Sequence, residues 1–331
     1  MKKILFMLLT VCLLVTIFSS SAVFADKEKP AVKLSEVVRS IFYAPQYVAL
    51  NKGFFNDEGI EVELSTAWGG DKAAATLMSG SCDIALIGPE PSIYVYERGA
   101  SNYIINFAQL TNTAGSFLLA REPMPDFSWE DVRGKIIIGN RPGGAPQMVL
   151  EYVLKNREII PGEDVNVITN LDFTANAGAF VSGTGDFVQL FEPAASKLEK
   201  ESHGYVVASF GVAGGNVPYT VYMAQQEYIK DNPEIIQSFT NAIYKAQIWV
   251  AQHSTDEIAD EIYSFFPDTE RDILINVISR YKQQGTWDKE PFIEEDIFNH
   301  YQDIIILAGE LEERVDYNIL VNTEFAQNVI K

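Results

Sequence analysis

Short strand-like runs alternate with helical stretches along this chain, and that order restricts its fold more than any other feature of the sequence. Ala31 to Val38 reads as a strand and Pro45 to Asn51 as a helix, and Ile60, Val62 and Leu64 alternate with polar residues in a second strand. Asp71 to Met78 reads as a helix, Asp83 to Ile87 as a buried strand and Ser92 to Arg98 as a further helix. A βαβαβα order predicts a mainly parallel sheet with helices on both faces. A second unit repeats the pattern: strand Lys135 to Gly139, a helix through Leu154, strand Val165 to Thr169, helix Ala175 to Val181, then strands Phe187 to Leu190 and Tyr205 to Ala208.

The expected architecture is therefore α/β and two-lobed. At 331 residues the chain is too long for one compact core, which agrees. Ser116 to Ala120 and Tyr219 to Ala224 read as extended strands crossing between the lobes, with the chain leaving one lobe near 118 and returning near 222. This divides it into 26–118 with 222–331, and 119–221. The last hundred residues read as helical scaffold. Asn232-Pro233-Glu234 opens one helix and the capping box Ser254-Thr255-Asp256-Glu257 another. The acidic runs Glu294-Glu295-Asp296 and Glu310 to Glu313 read as solvated helix faces.

The first 25 residues have the form of a secretory leader. Lys2 and Lys3 precede an apolar run from Ile4 to Phe18, and Val23-Phe24-Ala25 supplies a small-residue cleavage pattern. A run of ~15 apolar residues falls short of the ~20 that span a bilayer. Cleavage near Ala25 removes two lysines and takes the net charge from −20 to −22. A surface so acidic repels phosphate backbones and anionic lipid, which argues against nucleic acid and peripheral membrane partners. Cys12 lies in the middle of the apolar run, not at its end where acylated cysteines sit, so export as a free extracytoplasmic or periplasmic protein is expected. Only Cys82 then remains, and no intramolecular disulfide can form.

Chemistry-bearing motifs are scarce. His203, His253 and His300 have no metal-ligand spacing beside them, and no nucleophile elbow, phosphate loop or dinucleotide fingerprint occurs. Cys82 precedes a buried strand and reads as structural. No catalytic residue, metal or cofactor is expected.

The loops at strand ends are richer, and open α/β sheets bind ligands there. The first carries Phe42 and Tyr43. The second is Trp68-Gly69-Gly70-Asp71, and the third is Gly88-Pro89-Glu90-Pro91-Ser92. From the second unit come Arg141 with Gly143 and Gly144, Phe173 in Asp172-Phe173-Thr174, and Glu192 in Phe191-Glu192-Pro193. Aromatics, glycines and single carboxylates converging from two lobes describe a cleft that sandwiches a flat polar ligand.

Ala44-Pro45-Gln46-Tyr47-Val48-Ala49-Leu50-Asn51-Lys52-Gly53-Phe54-Phe55, with the following Asn56 to Val62, resembles the signature segment of solute-binding proteins of ABC importers. The branch it resembles takes up thiamine-pyrimidine precursors, aliphatic sulfonates, taurine and nitrate. Leu77 to Ala85 is similar to a second hallmark of that family, a helix ending in glycine followed by an aspartate that opens a strand. The resemblance implies the type II periplasmic-binding-protein fold, hinge closure on a small solute, a monomer, and delivery to a permease and an ATPase. It also implies that the loops of Phe42 and Tyr43, Trp68 to Asp71, Gly88 to Ser92, Gly143 to Ala145 and Glu192 line the pocket.

Two ligand classes stay open at this point. A sulfonate or nitrate would call on Arg39 and Arg141, whereas two carboxylates and several aromatics suit a neutral or amino-bearing heteroaromatic better. Enzymes that resemble this family use a cysteine-rich segment with a histidine, or a cysteine in the first strand-end loop. Ser40-Ile41-Phe42-Tyr43 has no cysteine, and no histidine precedes residue 203.

Overall fold

The computed structural model describes residues 29–331, so the leader, Cys12 and the cleavage pattern lie outside the described residues. Two five-stranded mixed sheets carry the fold. The first takes β1 (Ala31–Glu36), β2 (Glu61–Thr66), β3 (Ile84–Ile87) and β4 (Ile104–Thr111); the second takes β5 (Ser116–Ala120), β6 (Ile136–Ile138), β7 (Asn166–Ile168), β8 (Phe187–Phe191) and β9 (Tyr205–Ser209). The tenth strand, β10 (Thr220–Gln225), returns to the first sheet and completes the order β2-β1-β3-β10-β4, while the second sheet runs β7-β6-β8-β5-β9.

Parallel pairing of β1 with β2 and β3, and of β6 with β7 and β8, follows from the helical crossovers that the apolar patterning predicts. The antiparallel members are β10 and β5, each set beside a strand of the parallel group. Ser116–Ala120 and Tyr219–Ala224 are therefore not strands that cross between sheets: β5 pairs with β8 and β9, and β10 pairs with β3 and β4. The connecting backbone lies just outside them. Val217 N–H bonds to Asn112 O at 3.0 Å and Tyr219 N–H to Thr111 O at 3.0 Å, so outgoing and returning segments are tied to each other.

Strand β4 has no counterpart in the sequence reading. Asn106, Gln109 and Thr111 interrupt its apolar pattern, yet all eight residues are buried. Its outer edge is covered: Asn106 O, Gln109 N–H and Asn112 N–H bond to Asn322, Pro291 and Thr286 of the C-terminal region. Backbone groups buried at a sheet edge need such partners.

Helices of that region bridge the two sheets. Pro233–Gln252 packs on Ala44–Asn51, Glu295–Ala308 packs on Ala145–Lys155, and Arg271–Gln284 touches both the Ile41–Tyr43 turn and Ala194–Lys200. Residues Ala31–Lys331 consequently form one compact unit. Ser254 and Glu257 make the reciprocal capping box, whereas Asn232 starts its helix without a side-chain cap bond and donates to Tyr228 O instead. Glu294 to Asp296 form the first turn of a helix. Glu310 to Glu313 lie beyond its end, because Gly309 adopts φ 83° and stops the helix with a left-handed residue.

Gly115 sits in the outgoing connection, and a Cβ there would lie 2.5 Å from the Phe42 ring. Tyr281 fixes the same residue by donating its hydroxyl to Gly115 O at 2.9 Å. Gly115→Ala should lower the unfolding free energy by about 1–3 kcal/mol, the usual range for overpacking, seen as a reduced denaturation midpoint at unchanged slope. A midpoint equal to wild type would show that the ring moves freely at this junction.

Candidate functional site

The strand-end loops of the two sheets meet across one seam. Ser40 accepts a bond from Phe42 N–H, which starts the 3-10 turn Ile41–Tyr43, and its hydroxyl donates to Glu192 O of the opposite loop at 3.0 Å. Phe42 is buried and central. Its ring centroid lies 5.2 Å from Tyr281, 5.6 Å from Tyr43, 5.8 Å from Tyr219 and 6.0 Å from Phe191. Phe173 continues the row at 5.7 Å from Phe191 and is partly open to solvent. An aromatic series thus runs from the first sheet's loops, past the returning segment, to the second sheet's loops.

Beneath the first two loops lies Glu36, at the end of β1 and fully buried. Its carboxylate receives Arg39 Nε at 2.8 Å, Gln46 Nε2 at 2.8 Å, the Tyr47 hydroxyl at 2.7 Å and the Thr66 hydroxyl at 2.8 Å. Burial raises its pKa, against the lowering effect of Arg39, Tyr47 and Thr66. Arg39 is therefore committed to its own loop and lies over the Tyr47 and Phe265 rings.

Trp68 stands out of the second loop, 52% exposed, at φ 59°, a left-handed value that bulky residues seldom adopt. Gly69 beside it has φ 157°, and Gly70 opens the helix that carries Asp71. Asp71 faces Arg141 of the other sheet at 3.9 Å, and Arg141 also pairs with Asp172. All three are exposed, so this ion group marks a rim.

Glu90 begins the helix Glu90–Glu97 and is 6% exposed. Tyr301 donates to its Oε2 at 2.8 Å. Burial pushes its pKa up, opposed by its own backbone N–H, Tyr301 and the N–H of Ala145, which belongs to the second sheet's Gly143-Gly144-Ala145 loop. Gly88 makes room for this, since a Cβ there would fall 2.1 Å from Glu90 Oε2. Gly143 O accepts from the Tyr94 hydroxyl at 3.2 Å, and Gly144 is the N-cap of Ala145–Lys155. Ser92 is buried and turned away from the seam, donating to Pro89 O and accepting from Asn106.

Glu192 is buried but also turned away. Ser196 N–H and hydroxyl bond to it at 2.9 and 3.0 Å, and Arg280 Nη1 reaches it at 2.5 Å. Burial again outweighs these partners and raises its pKa. The structure thus brings Phe42, Tyr43, Glu90 and the Gly143–Gly144 loop together, sets Trp68, Gly69, Gly70, Asp71, Arg141 and Phe173 around a rim, and directs Gly88, Ser92 and Glu192 into supporting contacts.

Three tyrosines at this seam have no distinguishing signal in the sequence: Tyr94, Tyr219 and Tyr301. Glu90 acts electrostatically on all three and on Tyr43, raising the pKa of each hydroxyl beyond what burial does. The Tyr219 hydroxyl is buried with no hydrogen-bond partner among the described residues. Leaving such a group unpaired costs about 1–3 kcal/mol. Cys82 is buried against Thr76, and burial raises its pKa, which suits packing and not nucleophilic work. Among the described residues no cluster of His, Cys, Asp and Glu is arranged to hold a metal ion. A concavity of about 740 Å3 beside β4, lined by Tyr103, Lys230, Asn322 and their neighbours, shares no residue with the strand-end loops.

Two mixed α/β sheets, joined by paired connections and facing each other through their strand-end loops, define the type II periplasmic-binding-protein fold. The chain belongs to the NMT1-like family, whose model matches residues 25–264. It is 49% identical over 312 residues to YtlA of Bacillus subtilis (strain 168), covering 94% of this chain and 93% of that one; the name YtlA carries describes binding and gives no ligand. Among solved structures, the alkanesulfonate-binding protein SsuA from Xanthomonas axonopodis pv. citri, bound to MOPS, superposes with a TM-score of 0.72 at 13% identity, over 89% of this chain and 99% of SsuA. The desulfurization enzyme DszB superposes with a TM-score of 0.64 at 14% identity, over 91% and 99%. At such identities the likeness is one of fold, and this fold carries both binding and catalysis.

Proposed function

We propose that this protein is the exported solute-binding component of an ABC importer, and that it closes on a small heteroaromatic such as a thiamine-pyrimidine precursor before handing it to a permease and ATPase. The observation that carries the ligand class is Glu90, a buried carboxyl set against the Ala145 amide across the seam. A helix N-terminus favours anions, and here a carboxyl of the protein already occupies that position, so no anion site is left there. Both arginines that could serve a sulfonate are engaged: Arg39 by Glu36, Arg141 by Asp172 and Asp71. The aromatic row and the buried carboxyl suit a flat ring with amino donors.

The second reading, a sulfonate, taurine or nitrate binder, draws on the SsuA likeness. An enzyme reading draws on DszB, but the first strand-end loop Ser40-Ile41-Phe42-Tyr43 offers no thiol. Closure requires a ligand that contacts both sets of loops, because only differential affinity for the closed form shifts the equilibrium.

A thermal-shift screen against pyrimidines, flavins, sulfonates, taurine and nitrate tests this. A ligand at about 100 times its dissociation constant adds about 2.7 kcal/mol, or ~5 °C at roughly 2 °C per kcal/mol. A shift with a heteroaromatic is expected. A shift with sulfonates or nitrate alone would overturn the ligand class.

A further inference from the structure

The paired connections between the sheets hold a group that the sequence does not single out. Tyr219 lies on the returning connection, its backbone N–H bonded to Thr111 O, and its ring meets Phe42 from one side of the seam and Phe191 from the other. It is 3% exposed, and its hydroxyl has no partner among the described residues. Glu90 and Tyr43 lie close enough to act on it electrostatically, and it acts in turn on Tyr301, whose own hydroxyl is spent on Glu90.

A buried donor retained without an acceptor, beside a carboxyl and among aromatic rings, needs a reason. Three tyrosines around it are satisfied: Tyr301 by Glu90, Tyr94 by Gly143 O, Tyr281 by Gly115 O. We propose that Tyr219 is a specificity-determining residue, whose hydroxyl donates a hydrogen bond to an acceptor atom of the ligand, such as a ring nitrogen, at the hinge itself. Resting on the reading of the seam as a binding cleft, this gives the ligand two points of recognition. Glu90 takes its donors, and Tyr219 supplies one to its acceptor. Recognition at the connecting segment also couples occupancy to the geometry of the hinge, since the same residue holds the backbone pairing to Thr111.

Tyr219→Phe removes only the hydroxyl and keeps the ring that packs on Phe42 and Phe191. The measurement is calorimetric titration of wild type and Tyr219→Phe with the aminopyrimidine precursor of thiamine, together with melting of both proteins without ligand. Binding weakened by about tenfold, the effect of one hydrogen bond to a buried partner, is expected, with the ligand-free melting temperature unchanged or raised because no bond is lost. Equal affinity in the two proteins overturns the assignment alone. A lowered ligand-free melting temperature also overturns it, since the hydroxyl would then have a structural partner. No binding of the probe or of any other heteroaromatic by wild type overturns the reading of the cleft, and this assignment with it.

Discussion

Glu36→Ala should lower the unfolding free energy by about 3–5 kcal/mol, because it leaves several buried donors without their acceptor at about 1–3 kcal/mol each. Four side chains converge on this carboxylate: Arg39, Gln46, Tyr47 and Thr66. They come from the first loop, the helix after it and the end of β2, so a single residue ties together the segments that present Phe42, Tyr43 and Trp68. Truncation leaves a guanidinium, an amide and two hydroxyls around a void. Tyr47 loses most, because its ring is fully buried against Phe265 and Phe266 and its hydroxyl cannot turn to water. Glu36→Gln keeps the shape and one strong acceptor and should cost about 1–2 kcal/mol. Guanidinium denaturation of both variants decides this. A loss below about 1 kcal/mol for Glu36→Ala would mean that water reaches the site and replaces the carboxylate.

Apolar periodicity made the α/β order legible, because strands buried on both faces and their crossover helices leave a dense apolar record. Ile84–Ile87 and Ala145–Lys155 are examples. Where polar residues are buried and paired, that record disappears. Strand β4 is invisible for this reason: Asn106 and Gln109 look like solvent-facing residues until Leu320 O takes the Asn106 side-chain amide and Pro291 and Gln247 bond the Gln109 backbone. The loops of the site were legible as strand ends, whereas the direction of each carboxyl was not. Glu90 and Glu192 stand in similar Glu-Pro contexts at the start of a helix, yet one reaches the seam and the other turns to Arg280. Arg280 is 88 residues away in sequence. The choice is made by tertiary partners, and spacing carries no trace of them. The same holds for Tyr301, which contributes from a helix that reads as scaffold.

Stability should fall as pH rises above about 4.5, the usual carboxylate value, contrary to the profile of a protein held by ordinary salt-bridged carboxylates. Glu36, Glu90 and Glu192 all have pKa values raised above 4.5, in each case chiefly by burial. A carboxyl with a raised folded pKa binds its proton more tightly in the folded chain. Its contribution is complete below the unfolded value and is lost as pH climbs through the folded one. Asp164, Glu257 and Asp272 are displaced downward and act in the opposite sense, but they are exposed and titrate below that window. Self-repulsion among the excess acids works in the same direction as the buried three. Melting temperatures across this range, at fixed ionic strength, test the sign. Glu90→Gln separates the buried group from the surface, because an amide has no proton to lose. Relative to wild type, the variant should fare better at pH 8 than at pH 5. A difference that is constant with pH would mean that Glu90 keeps one protonation state throughout this range.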